Sequence, residues 1–139
     1  MNNEWDLRSW GVALLRVIVG VIFVMHGWQK LSWGFHNVAE FLGSLGIPQP
    51  TLAAVLLTTV EFLGGIALIL GLLTRYVAGL LAIDMLVAIM TVHIKNGFFL
   101  PKGVEYPLLL LTANINLMLA GAGALSVSAV RKKEISSAP

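Results

Sequence analysis

The chain has 139 residues, of which 58% are hydrophobic and only 12% charged, and its mean hydropathy is +0.87. Soluble domains are about 25% charged, so this composition excludes a small water-soluble fold and points to lipid as the surrounding solvent. A formal net charge of +2, with its one basic run Arg131-Lys132-Lys133 beside an apolar segment, argues against nucleic-acid binding, and the lack of cysteine removes disulfides, thiol catalysis and thiolate-held metal or iron–sulfur centres from this chain.

Met1 to Arg8 carries Glu4 and Asp6, and no small-residue cleavage site closes the apolar stretch after it, so the first segment reads as a retained helix. The first predicted span covers residues 10–31. The loop that follows, 32–50, contains Val38, Phe41, Leu42 and Leu45 at i, i+3, i+4, i+7, with Asn37, Glu40 and Ser44 opposite. That spacing predicts a short amphipathic helix lying in the membrane interface. The second span is 52–73. Thr74-Arg75 leaves so short a connection that the third span, 76–94, must run antiparallel to it. A second loop with Gly97, Pro101 and Gly103 precedes the fourth span, 106–125, and a polar tail, 126–139, follows. Each span approaches the roughly 20 residues that cross about 30 Å of hydrocarbon. The expectation is an all-α integral membrane protein: one domain, 1–139, folded as a four-helix bundle with an amphipathic helix in its first loop. With both termini cytoplasmic, Arg8, Arg75, Arg131, Lys132 and Lys133 lie inside, against Lys30, Lys95 and Lys102 outside, as the positive-inside bias favours.

Ionisable groups are expensive in a bilayer, so each is a functional candidate. Arg16, Asp84 and Glu61 fall about 9, 13 and 18 Å from the inner end of their spans at a rise of 1.5 Å per residue. Arg16 is within reach of either carboxylate, as a structural ion pair or part of a proton path with Asp84. Glu61 is the candidate proton carrier and catalytic group. Asp84 and His93, nine residues apart, point to opposite faces of an ideal helix. Arg16, Gly20, Phe23, Gly27 and Lys30 form one stripe of the first span, with His26 beside it, and that stripe should face the bundle. His26, Lys30, His93 and Glu105 are expected near one outer depth as a ligand-binding group. His36 reads as a solvated loop residue. Gly121-Ala122-Gly123-Ala124 has no strand before it and no phosphate-binding lysine, so it reads as helix packing. No metal site is assigned.

Three stretches carry a resemblance. Arg16 followed by Gly20-Val-Ile-Phe23-Val-Met-His26-Gly27-Trp-Gln-Lys30-Leu31 resembles the first helix of the DoxX family. Glu61-Phe-Leu-Gly64-Gly65-Ile-Ala-Leu-Ile-Leu-Gly71 with Thr74-Arg75 is similar to its second. Gly121-Ala-Gly123-Ala-Leu-Ser126 resembles its closing motif, although the family continues Leu-Asp where this chain has Val127-Ser128. The resemblance implies a four-helix protein of the bacterial inner membrane. It also implies a link to sulfur or quinone redox chemistry, since the family is named for the small membrane subunit of a thiosulfate:quinone oxidoreductase. On this reading the chain is a quinone-linked redox subunit that needs a redox partner protein or bound cofactor. Its partners would be membrane lipids and a redox protein, with homo-oligomers also open. A proton-coupled or small-solute permease and a scaffold for a soluble redox enzyme remain alternatives. Haem held between His26 and His93 is the weaker cofactor reading.

Overall fold

The computed structural model describes residues 7–127. The predicted polar tail lies outside the described residues from position 128 onward, and with it the basic run 131–133; so do residues 1–6. Five α-helices form the described chain: α1 (Leu7–Trp33), α2 (Phe35–Ser44), α3 (Pro50–Leu70), α4 (Thr74–Ala88) and α5 (Glu105–Ala120). A π turn, Ile89–His93, and a 3-10 turn, Ile94–Asn96, extend α4. α1, α3 and the continuous stretch Thr74–Asn96 are each long and apolar enough to cross a membrane. The chain is a helical membrane bundle.

Neighbouring helices follow one another around the bundle. α1 packs on α3, α3 on α4, α4 on α5, and α5 closes against α1. The α1–α3 seam is the tightest because three glycines remove the side chains that would hold the backbones apart. A Cβ on Gly27 would stand 2.6 Å from the Phe62 nitrogen, one on Gly20 2.8 Å from the Gly65 oxygen, and one on Gly65 2.6 Å from the Val24 nitrogen. Gly20, Phe23 and Gly27 lie on the expected stripe of α1, and all are buried with Arg16. The apolar core inside the ring is Val19, Phe23, Leu68, Ala78, Leu81, Met85, Leu110 and Leu117.

α2 takes the predicted amphipathic form, and its apolar face has a partner. Val38, Ala39 and Leu42 bury against Ala54 of α3, so the helix is fastened across the Trp33 end of the bundle.

Two helix ends differ from the sequence expectation. α5 stops at Ala120, five positions before the predicted 125. Gly121 there takes φ +89° and Gly123 φ +65°, left-handed values that glycine adopts without steric penalty. Gly121 and Gly123 therefore belong to a turn and not to the last turn of a helix, and the packing expected of them is kept by Gly123 alone, against α1. A Cβ on Gly123 would meet the Ser9 oxygen at 2.7 Å, and Ala124 donates its N–H to Ser9 O at 3.1 Å, so the turn folds back onto the start of α1. The third span also departs from an ideal helix. The π turn follows Asp84 and ends on His93, and its wider winding breaks the phase relation that put them on opposite faces.

Candidate site at the lysine–glutamate pair

Lys30, one turn beyond Gly27, is carried to the α1–α3 seam by the close approach of the two backbones. Its Nζ donates to Glu61 Oε2 at 2.5 Å, and the Glu61 side chain is only 4% exposed. Lys30 was expected near the outer boundary and Glu61 in the middle, yet they meet. Side chains on a helix slope toward its N-terminus. α1 and α3 are antiparallel, so Lys30 slopes into the bundle while Glu61 slopes toward the Trp33 end, and a gap between backbone levels closes. The pair is the one ion pair between different helices among the described residues.

Asp84 of α4 stands within electrostatic range of Glu61 and Lys30. Its Oδ2 is buried and has no hydrogen-bond partner. His26, one turn before Lys30, feels both Lys30 and Glu61, and its ring stands 6.5 Å from that of Tyr106 at the start of α5. Two carboxylates, one ammonium and one imidazole from three helices thus form a single electrostatic group, with a phenol beside it. The ammonium compensates one carboxylate. The second stands close enough to the first to share a proton with it.

The expected partnership of Arg16 with Glu61 or Asp84 is corrected by the structure. Arg16 is 1% exposed, and its Nη1 and Nη2 donate to Ala122 O at 2.6 Å and Leu125 O at 3.0 Å. The slope that carries Lys30 inward from the Trp33 end carries Arg16 away from mid-bundle, toward the Leu7 end. Gly71, at φ +71°, leaves the room this needs, since a Cβ there would collide with Arg16 Nη1 and Ser126. Arg16 therefore fastens the closing turn to α1 and α3.

The four residues expected at one outer depth have different immediate partners. His26 and Lys30 belong to the group around Glu61. His93 and Glu105 are held by the second loop: His93 Nδ1 is 2.8 Å from Lys102 O, and Leu100 N–H donates to Glu105 Oε1 at 2.5 Å. His36 lies with Glu40 on the exposed side of α2, at 3.1 Å.

A cavity of about 470 Å³ opens beside the pair, lined by Gln29, Lys30, Trp33, Val38, Phe41 and Leu57. It is walled by α1, α2 and α3, with the Trp33 and Phe41 rings 6.4 Å apart. Trp33, Phe41 and Gln29 were not singled out from the sequence as site residues. The available signal was the aromatic residue at each side of the amphipathic loop helix, but Phe41 also fits that helix's apolar face, so periodicity alone could not separate packing from lining.

A DoxX family model matches residues 11–94, which cover most of α1, all of α2 to α4 and every member of the charged group. A Bacillus subtilis (strain 168) protein named "Putative oxidoreductase CatD" is 36% identical over 127 residues, 91% of this chain and 89% of that protein. An uncharacterised protein of Haemophilus influenzae is 33% identical over 131 residues, 91% of this chain and 95% of its own length. The Escherichia coli inner membrane protein YqjF is 33% identical over 72 residues, 52% of this chain and 53% of that protein. No solved structure matches the chain. A family match over more than half the sequence, and a relative that aligns along nearly all of it, agree with the helical bundle and its membrane setting: the chain belongs to the DoxX family.

Proposed function

We propose that this protein is a quinone-linked membrane subunit of the bacterial inner membrane, which works with a partner redox protein and supplies binding and proton handling at the Lys30–Glu61 pair. The observation that carries the reading is that Lys30 faces two ways. It is bonded to buried Glu61 and also lines the cavity under α2. The name of the Bacillus subtilis relative points in the same redox direction.

The cavity residues fit a quinone ring. Trp33 and Phe41 supply flat apolar walls, Gln29 and Lys30 supply hydrogen-bond donors, and the volume lies within the range of small-molecule sites. A bound quinone would supply two-electron, two-proton chemistry, with electrons delivered by the partner protein. This chain's residues do the rest. Lys30 Nζ donates to a carbonyl oxygen that gains negative charge, where a cation stabilises it most. Lys30 gives one of its own protons to that oxygen as it is reduced and takes one back from Glu61, which first receives it from Asp84. Asp84, beside Glu61, is the store of that proton: two carboxylates and one ammonium sum to −1, and one proton makes the group neutral in a medium that penalises net charge, so the second proton of the reduction follows only after the group is refilled. Lipid access through the α1–α2 side suits a substrate dissolved in the membrane.

The test uses purified protein in liposomes and a short-chain benzoquinone as probe, followed by tryptophan fluorescence. Saturable quenching is expected in the parent protein, lost in Trp33→Phe and weakened at least about tenfold in Lys30→Met, since a charged hydrogen bond contributes about 1.5–3 kcal/mol. Quenching that never saturates, or that Lys30→Met leaves unchanged, would overturn the reading.

A further inference from the structure

On the side of the bundle formed by α4 and α5, away from α1 and α2, an open groove of about 750 Å³ runs between the two helices. Its floor and walls are Gly79, Ile83 and Leu86 of α4 with Leu111, Ile115 and Met118 of α5. At the end nearest the α3–α4 connection stand Arg75 and Tyr76. We infer that this groove is a binding site for one anionic glycerophospholipid, an acyl chain lying between α4 and α5 and the phosphate against Arg75.

Three observations converge on that occupant. Length comes first: from Tyr76 to Leu86 is ten residues, about 15 Å of helix, or half of a hydrocarbon core about 30 Å thick. The groove therefore has the reach of one leaflet, which is the reach of one acyl chain. Charge placement is second. Arg75 is the only ionisable side chain apart from Tyr76 on the groove, it is exposed, and it forms no ion pair among the described residues. An added Cβ on Gly121 would stand 3.3 Å from Arg75 Nε, so the guanidinium lies across from α4 to the end of α5 and bridges both walls. A planar fork of donors in that position matches a phosphate. Third, Tyr76, 76% exposed, sits beside it, at the depth where aromatic side chains with a polar tip favour the headgroup boundary.

A second copy of the chain fits the groove less well. A twofold axis along the membrane normal would hold the two Arg75 side chains at the same depth beside one shared interface, and like charges there repel. An anionic headgroup neutralises the same arginine. This site is separate from the cavity under α2, and its fate does not depend on whether that cavity takes a quinone.

The experiment measures lipid retention by native mass spectrometry of the full-length protein, released from detergent micelles after incubation with phosphatidylglycerol or phosphatidylcholine. The parent protein should keep one phosphatidylglycerol in preference to phosphatidylcholine. Arg75→Gln should reduce that preference about five- to tenfold, the effect of one interfacial cation near an anionic lipid. Arg8→Gln, a cation at the same end but off the groove, should leave it unchanged. Filling the groove with Met118→Trp or Ile115→Trp should reduce retention of both lipids; circular dichroism of each variant separates this from misfolding, and one folded variant suffices. Equal retention of the two lipids by the parent protein, an unaltered preference in Arg75→Gln, undiminished retention in a folded groove-filling variant, or a dimer whose formation those variants abolish would each overturn the assignment.

Discussion

Lys30 and Glu61 show how far one helical side chain shifts the level at which its charge is felt. Counting 1.5 Å per residue puts the two backbones at different depths, and that count was all the sequence allowed. Which residues were costly to bury was legible, because a charge within an apolar run stands out at any register. Their partners were not legible: Arg16 and Lys30 sit on one stripe of α1 yet go to opposite ends of the bundle, one to the carbonyls of the closing turn and one to Glu61. Deleting one member of a buried pair leaves the other uncompensated. Lys30→Met should therefore lower stability by about 3–5 kcal/mol, read as a fall in the thermal midpoint in detergent. Adding Glu61→Gln to it should restore most of the loss, because the stranded charge is then gone. A double variant no more stable than Lys30→Met would mean the pair does not hold α1 to α3. Glu61→Gln alone should keep the fold and abolish proton-coupled turnover once a partner assay exists; retained turnover would remove Glu61 from the proton route.

At the scale of elements, the α1–α3 seam and the closing turn do different work with the same residue type. In the seam, glycine is needed for lack of volume: a Cβ on Gly27 would overlap the Phe62 backbone. In the turn, glycine is needed for its backbone angles, and Gly121 and Gly123 supply them. The sequence displays small residues without saying which of these is wanted. For that reason the first three spans, the short hairpin connection and the α2 amphipathicity could be read from periodicity, while the true end of α5, a helix of 16 residues where a fourth span to 125 was expected, could not. Gly27→Leu should force the helices apart and lose the Lys30–Glu61 contact, so its lost stability should exceed that of Lys30→Met in the same thermal measurement. Arg16→Met leaves two carbonyls of the turn without their donor, at about 1–3 kcal/mol each if they stay dry. Its expected signature is local: faster protease cleavage near residues 121–127, with helical content by circular dichroism unchanged. Protection equal to the parent protein would show that the turn holds without the arginine.

For the molecule as a whole, the parity of the helices and the basic residues near the Leu7 end predict both termini on the cytoplasmic side. Single cysteines placed at Lys102 and at Pro139 should then label from opposite sides of sealed vesicles, and labelling of both from one side would refute the topology. The Lys30–Glu61 contact joins positions 31 residues apart, and that separation has a consequence for biosynthesis. When α1 first reaches the bilayer, the segment carrying Glu61 is still being made, so the Lys30 ammonium has no acid to meet. It must wait at the water boundary near the end of α1, and can turn inward only after α3 has entered beside it. The contact thus records the arrival of α3, and chains arrested before α3 emerges should hold Lys30 in water and α1 only loosely in the membrane.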